Sequence, residues 1–131
     1  MKTFVQAIQE AEKFSTKVEK FNALSNMDPL SIKLVEQALN PYRVFNVRKW
    51  EKPTYSNHDD SYQPFLDMLD CLHNRQWTGN AARELVSQIL SKYTENTAKY
   101  LSRVLNKNLD CGATVTTFEK IYPNLNVPKF E

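Results

Sequence analysis

The sequence predicts an all-α fold: a compact single domain of about six to seven helices. Three observations predict it. Apolar residues recur at spacings of three and four along nearly the whole chain. Thr, Asp and Pro stand where those runs begin, as helix-starting residues do. No segment joins two-residue alternation to the paired turn signals that strands require. The 131 residues, 41% hydrophobic and 24% charged, suit one globular domain with one sizeable core.

The elements follow in order. Phe4, Ile8 and Ala11 mark a first helix, and Phe14, Val18, Phe21 and Leu24 a second after a break near Ser15. Asp28 and Pro29 read as an N-cap and a first helical residue, starting a third helix that carries Ile32, Val35 and Leu39 inward. Asn40-Pro41 ends it. Tyr42, Phe45, Val47 and Trp50 then form an apolar patch among basic residues.

Residues 51–61 are polar and rich in helix breakers, which predicts an exposed loop. Ser61 is placed to cap the next helix, with Pro64 in its first turn and Phe65, Met68, Leu69 and Leu72 as its buried stripe. Ala81, Ala82, Leu85, Val86 and Ile89 mark another. Thr94 caps a helix bearing Leu101, Val104 and Leu105, and Thr114 caps a short last one with Val115, Phe118 and Ile121, stopped by Pro123. The domain is thus expected over 1–122. Residues 123–131 read as an extended linker toward a further domain, which favours a truncated chain.

A net charge of +2 does not by itself announce a nucleic-acid binder, but its distribution is uneven. Residues 41–54 hold Arg43, Arg48, Lys49 and Lys52 against Glu51. Residues 55–91 hold Asp59, Asp60, Asp67, Asp70 and Glu84 against Arg75 and Arg83. Lys92, Lys99, Arg103 and Lys107 restore the positive balance. One basic side suits a polyanion, and solvated helix faces produce the same alternation. Two cysteines, Cys71 and Cys111, with no export signal fit a reducing compartment. No apolar run approaches the roughly 20 residues of a membrane span, so a cytoplasmic chain without membrane contact is expected.

Conventional catalytic constellations do not assemble. His58-Asp59-Asp60 lacks a second pair of metal ligands at a convincing spacing. Asp67 and Asp70 share a helix face but read as solvated, and His73 reads as a structural residue near a helix end. Cys111 has no evident activating base. Trp50 and Trp77 can stack on bases or anchor in the core. No catalytic residue and no metal site are expected.

The two glycines stand out. Gly79, in Trp77-Thr78-Gly79-Asn80, and Gly112, in Asp110-Cys111-Gly112-Ala113, both lie between helices. Each can end the preceding helix as a C′ residue. Each can instead let the backbone approach a phosphate near the next helix's unpaired N–H groups. Asn80 and Arg83 after the first loop, and Arg103 and Lys107 before the second, keep the second reading open.

At these loops the chain resembles the DNA ligases of T-even-type phages, in three blocks. Val44 through Pro53, VFNVRKWEKP, is similar to that family's KKWPKP stretch. Leu66 through Asp70, LDMLD, followed by Trp77 through Ala82, WTGNAA, is close to its DMLD and LTGNAA. Leu109 through Val115, LDCGATV, with Lys120 through Pro123, KIYP, looks like LECGASV and KVWP. The likeness runs from about residue 30 onward. Asn124 stands where the family often has glycine.

The resemblance implies the amino-terminal DNA-binding domain of an ATP-dependent ligase, phage-encoded and acting in the bacterial cytoplasm in DNA replication, repair and recombination. It implies duplex or nicked DNA as partner, gripped without sequence preference through the minor groove and phosphates, with nucleotidyltransferase and OB-fold domains beyond. Thr78, Gly79 and Asn80, and Lys107, Asn108, Cys111, Gly112, Ala113 and Thr114, would face DNA. Arg43, Arg48, Lys49 and Lys52 would contact its backbone. Neither glycine lies in the Lys-x-Asp-Gly motif on which such ligases carry AMP. The parent's ATP and magnesium therefore imply no cofactor here, and the chain alone is expected to be a non-catalytic monomer. A small helical protein–protein adaptor is the competing reading.

Overall fold

The computed structural model describes residues 1–125 and 127. Among these residues there are seven helices: α1 (Phe4–Glu12), α2 (Lys17–Leu24), α3 (Pro29–Leu39), α4 (Gln63–His73), α5 (Gly79–Leu90), α6 (Glu95–Leu105) and α7 (Val115–Ile121). Extended pairing among them is limited to an isolated parallel bridge between Lys2 and Met27.

Local chemistry starts most of the helices. Thr3 and Gln6 close a capping box on α1, and Thr16 accepts from Glu19 N–H on α2. Asp28 accepts from Ser31 N–H at 2.8 Å, with Pro29 inside the first turn. Thr94 accepts from Thr97 N–H. Each such bond satisfies one of the N–H groups a helix start leaves unpaired, worth about 1 kcal/mol. Ser61 does not cap α4: Tyr62 holds that position, and the Ser61 hydroxyl only accepts from Gln63 N–H at 3.4 Å. Thr78 and Thr114 occupy the cap positions of α5 and α7 without a side-chain capping bond.

α1 packs on α2, α3 and α6; α3 also meets α4 and α6; α5 lies on α4, and α7 on α2. Phe4, Ile8, Leu34, Val35, Phe65, Leu69, Leu101, Val104 and Phe118 fill the shared interior. Burial of each such large side chain contributes about 1.5–3 kcal/mol. Tyr93 is wholly buried, and its hydroxyl donates to the Ser61 carbonyl at 2.7 Å. Burial pushes its phenol well above the usual tyrosine range, so it stays a donor.

Two expected stripes are corrected. On α2, Val18 is 71% exposed and Phe21 partly exposed, while Ala23 and Leu24 supply the buried contact. The short helix turns those two inward and the expected pair outward. On α3 the buried positions are Ser31, Leu34, Val35 and Ala38, with Ile32 and Leu39 packed at the rim. Past α7, Leu125 still packs against the core. The linker expected over 123–131 falls largely on Asn126 and 128–131, outside the described residues.

Residues 51–61 are mostly exposed, as expected, yet they are moored. Ser56 N–H donates to the Tyr93 carbonyl, and Asp60 N–H to the Lys92 carbonyl. Asp59 accepts from Thr94 N–H (2.8 Å), the Thr94 hydroxyl (3.0 Å) and the Thr97 hydroxyl (2.8 Å). Partial burial pushes its carboxyl up. Those three hydrogen bonds and the nearby His58 outweigh that and hold it below the ordinary carboxylate range. A carboxyl depressed on folding stabilises above its unfolded pKa, and the contribution disappears as pH falls through the folded value. We therefore expect Asp59→Ala to lower stability by about 1–2 kcal/mol at neutral pH. In urea titrations across pH, the gap from the parent should narrow as pH falls below the ordinary aspartate range.

Candidate nucleic-acid interface

The backbone between the helices builds the surface. α4 ends at Asn74, and Arg75 follows with φ +59°. Arg75 N–H donates to the Leu72 carbonyl and Gln76 N–H to that of Cys71. α6 ends in the same way: Lys107 takes φ +59° and donates to Val104, and Asn108 N–H donates to Arg103. Both are Schellman closures with a long cationic residue in the left-handed position. The glycines therefore do not terminate these helices. Gly79 (φ +58°) opens α5 directly after Thr78, whereas Gly112 (φ +76°) lies two residues before Thr114. The loops are related but not equivalent.

Asn74 through Ala81 are all exposed, and Trp77 is 47% exposed. Thr78, Gly79, Asn80 and Arg83 thus stand on an open surface, with Arg83 donating to the Asn80 side chain at 3.4 Å. The second loop is more mixed. Asn108, Gly112 and Thr114 are exposed and Ala113 half-buried. The Asn108 side chain accepts from Asp110 N–H at 3.1 Å.

Residues 43–48 form an irregular strap, with Asn46 in the left-handed region (φ +60°). Phe45 and Val47 are buried while Val44, Asn46 and Arg48 are exposed. Farther along, Trp50 packs on the core rim, and the Ser87 hydroxyl donates to the Glu51 carbonyl at 2.6 Å. This strap links the two loops. Arg48 lines a cleft of about 260 Å³ with Asn106 and Lys107. The next residue, Lys49, lines one of about 480 Å³ with Asn80 and Arg83. Lys52 lies apart, over the Tyr55 ring.

Several expected contact residues also make contacts within the domain. Lys107 donates to the carbonyls of Asn40 and Arg43 (2.8 Å to the latter), with its ammonium over the Phe45 ring. Burial, and then the Arg43 charge, push it below the usual lysine range. Arg43 donates to Gln37 and pairs with Asp70 at 2.5 Å, so Asp70 is not a merely solvated carboxylate. Arg103 pairs with Glu12, donates to the Leu109 carbonyl and lies over the Tyr100 ring. Cys111 is buried, and burial pushes its thiol up. Its side chain cannot meet a ligand. In each case the group has an internal acceptor or an apolar neighbour within reach. His73 accepts from Val44 N–H through Nδ1, a structural role as expected. Among the described residues no three His, Cys, Asp or Glu side chains converge as metal ligands, and no helix is long and apolar enough to cross a membrane.

The sequence reading missed Lys20. From α2 its ammonium donates to the carbonyls of Ala11 (3.1 Å) and Cys111 (2.8 Å). A Cβ at Gly112 would lie 2.8 Å from it. No local signal marks this, because the two partners are 91 positions apart.

Fold and surface define an all-α domain with two exposed interhelical loops joined by a basic strap. Over 85 residues, 62% of its length, the chain is homologous to the DNA ligases of Enterobacteria phages T4 and T6, with 32% identity to each. It spans only 18% of those ligases. Two solved structures, named Pmar-Lig_Pre. and Pmar-Lig_PreS3, share the fold over 95% of this chain with TM-scores of 0.84 and 0.85. They are 22% identical to it, and the match covers 31% of each. No protein-family profile matches the chain.

The internal role of Lys107 has a measurable consequence. Lys107→Met keeps the stem and removes the donor from two carbonyls, so stability should fall by about 2 kcal/mol in urea denaturation. A change under about 0.5 kcal/mol, typical of a surface cation, would show that it does not hold the strap.

Proposed function

We propose that the chain is the DNA-binding domain of an ATP-dependent DNA ligase and holds duplex or nicked DNA through its phosphates without reading sequence. The observation that carries this is the divergence of Arg48 and Lys49. These consecutive residues line two clefts, one with Asn80 and Arg83 of the first loop, where Glu51 and Glu84 also lie, and one with Asn106 and Lys107 where the second loop begins. The homology to phage DNA ligases supports the same reading. On this reading the loops settle against the minor groove, the strap cations contact the backbone, and residues after about 122 lead toward nucleotidyltransferase and OB-fold domains. ATP and magnesium chemistry belongs to those domains. Nick sealing in replication, repair and recombination is the role of the whole enzyme.

Arg43 and Arg103 pair with carboxylates and the Lys107 ammonium lies over the Phe45 ring, so the exposed Arg48, Lys49, Lys52 and Arg83 are the leading phosphate ligands. About four to five phosphate contacts give a log–log salt slope near −4, independent of duplex sequence. Arg48→Ala, Lys49→Ala and Arg83→Ala should each make the slope shallower by about one unit while helix content is unchanged. Fluorescence anisotropy over a salt series measures this. A parent slope of zero would leave the adaptor reading. An unchanged slope in the triple variant would place DNA on another face.

A further inference from the structure

We propose that Lys20 is a phosphate ligand of the Gly112 loop, donating to a DNA backbone phosphate that lies across it. This rests on the DNA-binding reading and assigns a role to a region, the first 30 residues, that the sequence resemblance leaves aside.

An ammonium has three N–H donors. Lys20 directs two of them to neutral carbonyls, one in the last turn of α1 and one in the loop. Among the described residues it pairs with no carboxylate. Its charge is therefore positioned but not neutralised, unlike that of Arg103, which faces Glu12. A cation steered by backbone carbonyls has already lost much of the side-chain entropy that a free surface lysine would lose on binding an anion.

The glycine completes the geometry. A Cβ at Gly112 would fall 2.8 Å from Nζ and 3.1 Å from Cε of Lys20, so the end of that flexible side chain would have to move away from its present position. The left-handed φ of +76° also favours glycine here. The ammonium thus stands against the bare backbone of an exposed residue. Lys17, one turn earlier on α2, is exposed and extends the positive potential around the same edge.

Two variants of the full chain, compared with the parent, test this: Lys20→Met, which keeps the stem without charge, and Lys20→Arg, which restores charge. The expected result for Lys20→Met is a salt slope shallower by about 0.9. Its affinity ratio to the parent should then change about 3.5-fold between about 50 and about 200 mM salt. Lys20→Arg should recover the parent slope. Native circular dichroism with an unchanged slope for Lys20→Met would overturn the proposal even if affinity fell uniformly, since a purely positioning lysine acts that way. Should Lys20→Met not fold, the 15N ammonium resonance of Lys20 in the parent gives the answer: a shift on adding duplex supports the contact, and none overturns it. A parent that shows no salt-dependent DNA binding at all overturns the DNA reading itself, an outcome separate from a parent that binds with its slope unaffected at position 20.

Discussion

The bond from the Lys107 ammonium to the carbonyls of Asn40 and Arg43 is the constraint on which the rest of the surface depends. Three pieces of backbone meet there: the end of α3, the start of the strap and the closure of α6. Turn carbonyls beside a core need partners, because leaving them unpaired costs about as much as a lost hydrogen bond. Lys107 supplies both, and its left-handed backbone aims the side chain back across the helix end. Phe45 is then fixed beneath it, between Lys107 and Arg43. The alternation that turns Arg48 outward follows from that anchor.

The same device recurs around the second loop. Arg103 holds the Leu109 carbonyl and Lys20 holds that of Cys111, so cations from α6 and α2 fix successive parts of one short segment. Glu12 ties Arg103 and the Tyr100 hydroxyl to the end of α1. Burial pushes the Glu12 carboxyl up, but its hydrogen bonds to Arg103 and Tyr100 and the charges of Arg103 and Lys99 hold it below the usual range. The first loop stands open from Asn74 to Ala81.

The chain spans less than a fifth of its ligase relatives. On the DNA-binding reading proposed above, a domain tethered to others would gain binding strength from effective concentration rather than from its own affinity. Inward-turned cations would then give its face a defined shape while outward ones supply the charge.

How much of this was legible in the chain depends on the range of the forces involved. Helix starts at Asp28 and Thr94 were legible in the sequence, since a cap and the N–H it serves lie within three residues; Ser61 and Thr114 do not make the capping bonds expected of them. The α4 stripe of Phe65, Met68, Leu69 and Leu72 followed from helical period alone. On α2, eight residues were too few for the period to decide which face turned inward, and Val18 and Phe21 went outward. The glycines' freedom to take a positive φ was visible and both use it; that they do not terminate the preceding helices was not, because Arg75 and Lys107 took the positions usually given to glycine. Above all, the sequence marked Arg43, Arg48, Arg103 and Lys107 as alike. Only the tertiary structure separated them, because their acceptors, from Glu12 to Asp70, are brought close by packing across tens of residues. A charge pair depends on distance in space, and distance in space is what the fold alone decides.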